Sequence, residues 1–502
     1  MERFCLVEVT LPAYLFLHVK MLCKLSEAHT NMKKISDYNF LFLLLLFYFF
    51  LFQYCRTTYY ADPTSYFFDP KRAYSPGYSA RRRDEAAAFI QQKSDVPSRR
   101  LINDTQPKLC IGIASIAREG VHYLHYSTGS LLHGLSPEER QQIVLITLLA
   151  HANASKHPDS SSTWLLNVAD QVIDYGPPFE NQEYIQSLEL DEDKQKEKSL
   201  FDYVHLLEAC KSTRAEFVFI MEDDTVAAEG WFRRTIDGLR SISGKMRAMG
   251  RDPTHCKLYL MLKFSDISFR VSRVTIKSRY QESLSRVAIK KATLPVILKV
   301  LRRYSQEVEQ LTLLVLYLRL FYTEKFLGWS EEFTDSYIVY SILITLLPLS
   351  LFAIPNTRRP KLLQQQSTVL FISFIYTPML IILFFLAGRP SMLPISRGVH
   401  LMHENACCTQ ALVFPSSQIP GVVDWLNAHQ KGADSYQDQL IEEYAQNIIP
   451  NMLRWALTPS VVQHIGDKSS KAGAVGGWGN RSPRLRLWSL SFEREGKIKN
   501  FG

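Results

Sequence analysis

Several familiar signatures are missing from this 502-residue chain. Its eight cysteines include no Cys-x-x-Cys pair and no finger-like spacing, which removes zinc fingers and thioredoxin-like redox sites. No Gly-rich loop ending in Lys-Ser or Lys-Thr is present, which argues against a P-loop nucleotide hydrolase. The formal net charge is +9, but no Lys/Arg run is interleaved with aromatics, so nucleic acid is not an expected partner. Charge is missing altogether from three long apolar runs, and the first of them lacks the small-residue cleavage site of a removed leader.

Those three runs are what the chain has most plainly. Tyr38–Cys55 reads YNFLFLLLLFYFFLFQYC, near the shortest length that spans a bilayer. Tyr337–Ile354 and Val369–Ala387 form a second and third candidate, separated by a short loop holding Arg358, Arg359 and Lys361. Lys33 and Lys34 precede the first. If both basic clusters are cytosolic, one topology satisfies them: anchor out, hairpin in and out again. Buried core helices are the alternative reading of the hairpin. Under the membrane reading, the segments before and after the hairpin are lumenal, where disulfides persist. Cys110, Cys210, Cys256, Cys407 and Cys408 fall there, an odd number whose pairing is left open. Asn103, Asn153 and Asn480 stand in glycosylation triplets on the same side.

The polar parts have their own pattern. Residues 1–31 look detached from this plan, and Met32 would be a natural start. Residues 56–105 are Arg-rich and read as a stem. From there, apolar runs 108–115, 143–150, 169–175 and 217–221 alternate with helical spacing over 201–212, as in a mostly parallel sheet covered on both faces. The acidic stretch 180–198 reads as a solvated loop. Residues 264–310 are basic, Ser-rich and carry no recognisable chemistry.

Ligands of such sheets bind at the carboxyl ends of the strands. The clearest strand, Phe217–Met221, runs directly into Glu222-Asp223-Asp224. Three carboxylates at the end of a buried strand are costly unless a cation compensates them. Mg²⁺ or Mn²⁺ would do so, completing its shell with the phosphate oxygens of a nucleotide-sugar diphosphate. A solvated acidic turn is the plain alternative, and metal hydrolases share the motif. In its membrane-anchored setting the domain resembles the GT-A class of glycosyltransferases, a Rossmann-type mixed sheet flanked by helices.

The order of further segments narrows the resemblance. MEDDT (221–225), LRLFYTEKFLGW (318–329), a two-span hairpin, ENACCTQALVFP (404–415) and PSVVQHIGDKSS (459–470) follow one another. This order resembles the post-GPI-attachment N-acetylgalactosamine transferase family, over roughly 108–470 without 264–310. The resemblance implies a Golgi-membrane enzyme that moves GalNAc from UDP-GalNAc to a mannose of the GPI glycan. It also implies that Glu222, Asp223 and Asp224 bind the metal and the nucleotide, with Mn²⁺ or Mg²⁺ as cofactor and GPI-anchored proteins as acceptors.

Other residues are candidates on physical grounds. His464 could be a late metal ligand, or an ordinary structural histidine. Arg118, just after the first strand, could touch the donor, though a surface role fits as well. An inverting transfer needs a carboxylate base; Glu404, Asp438, Glu442 and Glu443 lie in the second lumenal part, and Asp438 and Glu442 share a helix face. Trp329 and Trp425 could stack on sugars, but core roles suit them better. The resulting plan is a cytosolic tail 1–37, an anchor 38–55, a stem 56–105, catalytic parts 106–336 and 388–470 around a hairpin 337–387, and a tail 471–502. Two other readings remain beside it: a GT-A transferase acting on N-glycans, and a non-catalytic membrane homologue.

Overall fold

The computed structural model describes residues 37–93, 106–175, 182–251, 315–352, 366–402, 409–448, 452–466 and 486–498. The detached start, the basic hairpin loop, residues 264–310, Asn103, Asn480 and Glu404 lie outside them. The chain divides into two compact units. One comprises residues 1–76, 323–396 and 481–490; the other comprises 77–322, 397–480 and 491–502.

The larger unit is built on an eight-stranded mixed sheet. Its strands are β1 (Leu109–Ser115), β2 (Ile143–Leu149), β3 (Gln171–Ile173), β4 (Phe217–Glu222), β6 (Val315–Arg319), β7 (Gly398–Leu401), β8 (Ala411–Pro415) and β9 (Leu453–Thr458). They lie in the order β3-β2-β1-β4-β8-β6-β9-β7. The first four are parallel, β8 runs antiparallel to β4 and β6, and β7 is antiparallel to β9. β1, β2 and β4 are near-continuous apolar runs because both of their faces are covered. On one face Cys110, Val218, Ile220 and Phe414 pack with Leu206, Cys210, Val422 and Ile441 of three helices. On the other, Phe219 meets Trp231 at the head of helix Trp231–Arg251. A disulfide joins Cys110 of β1 to Cys210 of helix Gln195–Ser212, a pairing the spacing alone left open.

Two stretches take forms other than those expected, and the helix read from RRRDEAAAFIQQK is present but packed into the larger unit. Residues 180–198, expected as a loop, contain helix Gln182–Leu190 and the start of the next helix. Ile185 and Leu188, three apart, bury one stripe of the first, and the acidic composition had masked them. Part of the expected stem is helix Tyr78–Lys93, which packs so closely on helix Leu124–Leu132 that a Cβ at Gly129 would lie 2.5 Å from the Ala86 carbonyl. Its Arg82 is fully buried and donates to the carbonyls of Ala227 and Ser130. Part of the expected tail is helix Leu490–Ile498. There Glu493 Oε2 accepts the N–H groups of Gly77, Tyr78 and Ser79, capping the partial positive end of the Tyr78 helix.

The smaller unit is a helical bundle. Helix Asp37–Thr58 packs Phe40 and Leu44 against Val369, Ile372, Tyr376 and Leu380, and Leu349 of helix Thr334–Phe352 borders the same cluster. Asn39–Thr58 and Gln366–Leu386 are long and apolar enough to cross a membrane; Thr334–Ser350 is apolar but shorter. Pro348 and Pro378 are accommodated within these helices. Trp329 donates to the Phe385 carbonyl and packs among Tyr337, Phe384 and Phe385, a structural role.

Candidate functional site

The parallel strands place their carboxyl ends along one edge, and a buried polar network lies there. β1 ends at Ser115 and leads to Arg118, β2 leads to a loop with His157, and β4 ends at the acidic triplet. Strand alternation divides that triplet. Glu222 stands opposite Ala114 in register and continues the row of Val218 and Ile220. Asp223 therefore turns to the other face, where Ser115 and Arg118 wait.

Asp223 is 2 % exposed and fully engaged. Arg118 donates to it in a two-pronged grip, Nη1 to Oδ2 at 2.7 Å and Nη2 to Oδ1 at 2.8 Å. The Ser115 hydroxyl donates to Oδ2 at 2.6 Å. His157 Nδ1 accepts the Asp159 N–H, so its Nε2 carries the proton that faces Ser115 Oγ at 3.0 Å. Burial pulls His157 down to about 4, so the ring is neutral near pH 7. Burial pushes Asp223 up and Arg118 opposes it, while the surrounding carboxylates overcome the burial of Arg118 and raise its pKa. The guanidinium also lies over the Tyr123 ring, 5.4 Å from its centroid.

Asp224 is set differently. A two-stranded ribbon pairs β5 (Thr225–Ala227) with β10 (Val462–His464), Thr225 opposite His464. The Ile465 N–H donates to the Asp224 carbonyl at 2.9 Å. This pairing brings His464 Nε2 to 3.4 Å from Asp224 Oδ2, across 240 residues of chain. Burial pushes Asp224 up, but His464 and Arg118 outweigh it and hold the carboxyl below its ordinary value. Its Oδ1 is buried and has no hydrogen-bond partner among the described residues. Gly466 closes over the pair: a Cβ there would collide with Asp224 Oδ2 and sit 3.1 Å from His464 Nε2.

An orphaned carboxylate oxygen beside an imidazole fits a divalent cation whose other ligands are water and phosphate. Asp223 does not fit as a ligand, because Arg118 and Ser115 occupy its oxygens. Glu222 is turned to the opposite face, where Thr409 Oγ1 donates to it at 3.1 Å. Among the described residues, no three His, Cys, Asp or Glu side chains are grouped to hold a metal. Of the four expected ligands, Asp224 and His464 are the two that stand together, and Asp224 keeps an unpartnered carboxylate oxygen.

The candidate bases separate as well. Glu442 is 4 % exposed and committed to a buried cluster: Arg454 at 2.5 Å, Arg319 at 3.2 Å and the Tyr317 hydroxyl. Those partners occupy both of its oxygens. Asp438, on the same helix Gln437–Glu443, is half-buried and accepts the Gln439 N–H at 3.0 Å. Glu443 ends that helix. Trp425 donates to the Leu440 carbonyl and packs on His429 and Tyr444, a structural part. Ser115, His157, Thr409 and Gly466 were not singled out from sequence. Ser115 alone had a signal, as the small residue closing an apolar strand.

Residues 287–463 match a family model described as GPI-N-acetylgalactosamine transferase PGAP4. The match begins inside the basic segment that the sequence pattern set apart, covers β6 through β9, and stops one residue before His464. Ser115, Arg118, His157 and the acidic triplet lie outside it, so the site geometry and the match are separate observations. No curated protein sequence and no solved structure matches the chain. Over those residues the chain is similar to the PGAP4 family.

Proposed function

We propose that this chain is a metal-dependent glycosyltransferase of GT-A type that moves GalNAc from UDP-GalNAc to a mannose of the GPI glycan. The observation that carries the reading is Asp224: a buried carboxylate with an unpartnered oxygen, at the carboxyl edge of a parallel sheet, flanked by Arg118 and His464. The family match supplies the sugar and the acceptor. A divalent cation, Mn²⁺ or Mg²⁺, held by Asp224 and His464 would neutralise charge gathering on the departing diphosphate. Arg118, fixed by Asp223, keeps its positive group at the same edge without reorganisation. Ser115 and neutral His157 hold Asp223 in the orientation that makes this possible. Gly466 lets the backbone approach closely enough for His464 to reach Asp224.

The setting we propose is the Golgi membrane with a cytosolic N-terminus, and two features suit its coarser part, an oxidising compartment at a membrane. The Cys110–Cys210 disulfide suits an oxidising compartment, and the apolar helices suit a membrane. A transferase tied to the membrane that carries its acceptor gains from orientation before chemistry. The test is mass spectrometry of GPI glycans from cells lacking the protein, complemented with wild type or Asp224→Ala. Loss of a HexNAc branch that only wild type restores is the expected result. An unchanged branch, or restoration by both, removes the reading and moves N-glycan transfer or a scaffold role ahead. With purified protein, a chelator should abolish transfer and added Mn²⁺ should restore it.

A further inference from the structure

Two faces of β4 end in acid, and only one has been given a role. On the second face, Glu222 is half-buried and accepts from Thr409 Oγ1 at 3.1 Å. Thr409 in turn accepts from Gln437 Nε2 at 3.4 Å, and Gln437 Oε1 accepts from Ser199 Oγ at 2.9 Å. The next residue along is Asp438, also half-buried. One turn on from Ser199 in helix Gln195–Ser212 is Tyr203, 6 % exposed, whose hydroxyl has no hydrogen-bond partner among the described residues. Glu222, Tyr317 and Asp438 all act on that hydroxyl, adding to burial in raising its pKa.

A buried hydroxyl without a partner is costly, and a ligand that supplies one removes the cost. The charge of this face limits what that ligand can be. Of its cations, Arg319 and Arg454 are both drawn to Glu442, and Lys196 donates to the Asp434 carbonyl beside the Tyr436 ring. Glu222 and Asp438 would repel a diphosphate and accept readily from O–H groups. A neutral, polyhydroxylated molecule fits: its hydroxyls can donate to the two carboxylates while one of its oxygens accepts from Tyr203.

We propose that the Glu222 face of β4, with Tyr203, Thr409, Gln437 and Asp438, is the subsite for the acceptor sugar, on the opposite side of the strand from the Arg118–Asp223 pair. This rests on the transferase reading above and adds a location to it. The acceptor is then held by acids on one face of the strand, and the donor diphosphate by the cationic groups on the other. The two substrates meet at the strand's end, where Asp224 stands.

The test uses full-length protein in detergent, with Tyr203→Phe and Asp438→Asn. Tyr203→Phe keeps the buried ring, and an unchanged melting curve confirms the fold. Initial rates are measured while the acceptor glycan and the UDP-sugar are varied separately. Each substitution should raise the acceptor KM about tenfold, with a much smaller change in the donor KM. A rise in the donor KM instead would reassign this face to the donor's sugar ring and overturn the proposal. No change in either would make Tyr203 a structural hydroxyl and overturn it equally. Should the wild type transfer no sugar at all, the activity reading fails by itself. Saturation-transfer NMR with a free mannose oligosaccharide then decides the subsite: contact with wild type that Tyr203→Phe loses sustains it, and no contact ends it.

Discussion

Apolar side chains behave oppositely in the two units. In the sheet unit Leu109, Ile111, Ile113 and Phe219 are wholly buried, and polar groups gather at one edge. In the helical unit Phe42, Phe50 and Ile382 are 64 %, 61 % and 56 % exposed, while Leu44 and Ile372 form a narrow internal seam. Water forces the first arrangement by driving apolar area inward. The second suits surroundings that are themselves apolar, since a helix greasy on every side has no reason to avoid lipid. The comparison teaches that the same residue types suit two different surroundings, and that buried, paired polar groups gather in the sheet unit.

Four substitutions press on that contrast. The largest effect is expected from Arg118→Ala, which leaves Asp223 buried beside Asp224 without its partner. About 3–5 kcal/mol of stability should go, read from denaturant unfolding of the purified chain, along with transfer activity. A loss below ~1 kcal/mol would mean the pair is far wetter than its geometry indicates. Next comes Cys210→Ser, which opens a loop of 100 residues between β1 and its covering helix and should cost about 2–5 kcal/mol. Its effect should stay in the sheet unit, leaving membrane extraction unaltered; release of the chain from membranes would contradict the separation drawn here. Ile382→Lys probes the other unit and should cost about 3 kcal/mol of membrane insertion, measured by the membrane-integrated fraction. Free tolerance of that charge would show that the outward face does not meet lipid.

The smallest effect concerns His157. Its folded value near 4 lies below the ordinary 6.5, so between those values the unfolded chain binds a proton that the folded chain does not. Stability should therefore rise with pH from about 4 to about 6.5 and be flat in this respect above. Thermal melts across that range should show the acid slope reduced in His157→Asn. An identical slope in both proteins would assign it to other groups.

Much of the sheet unit could be anticipated. β1, β2 and β4 are legible because strands buried on both faces must be continuously apolar, and the triplet is legible because three acids at the end of such a strand need a reason. Arg118 and His464 drew attention by residue type and place, and the structure sets both beside Asp224. Other residues could not be seen. Ser115 and His157 act on Asp223 through a network whose members are far apart in the chain. Glu442 resembled a free carboxylate because i, i+4 spacing reports a shared helix face but not what covers it. Arg319 and Arg454 come from β6 and β9, and only packing joins them to it. Glu493 lay in a stretch that looked like a tail, yet it caps a helix more than 400 residues earlier.

Local chemistry therefore settled the kinds of element present: which segments are greasy throughout, which alternate with helices in a buried sheet, and where acid accumulates. Those properties follow from side-chain transfer energies and backbone periodicity, both local to a few residues. Which carboxylate keeps an unpartnered oxygen, which is paired with arginine and which turns to the opposite face was decided only by tertiary structure. Strand alternation, the β5–β10 pairing and the approach of Gly466 set distances of about 3 Å between groups hundreds of residues apart, and at that scale an ångström separates a ligand from a locked ion pair.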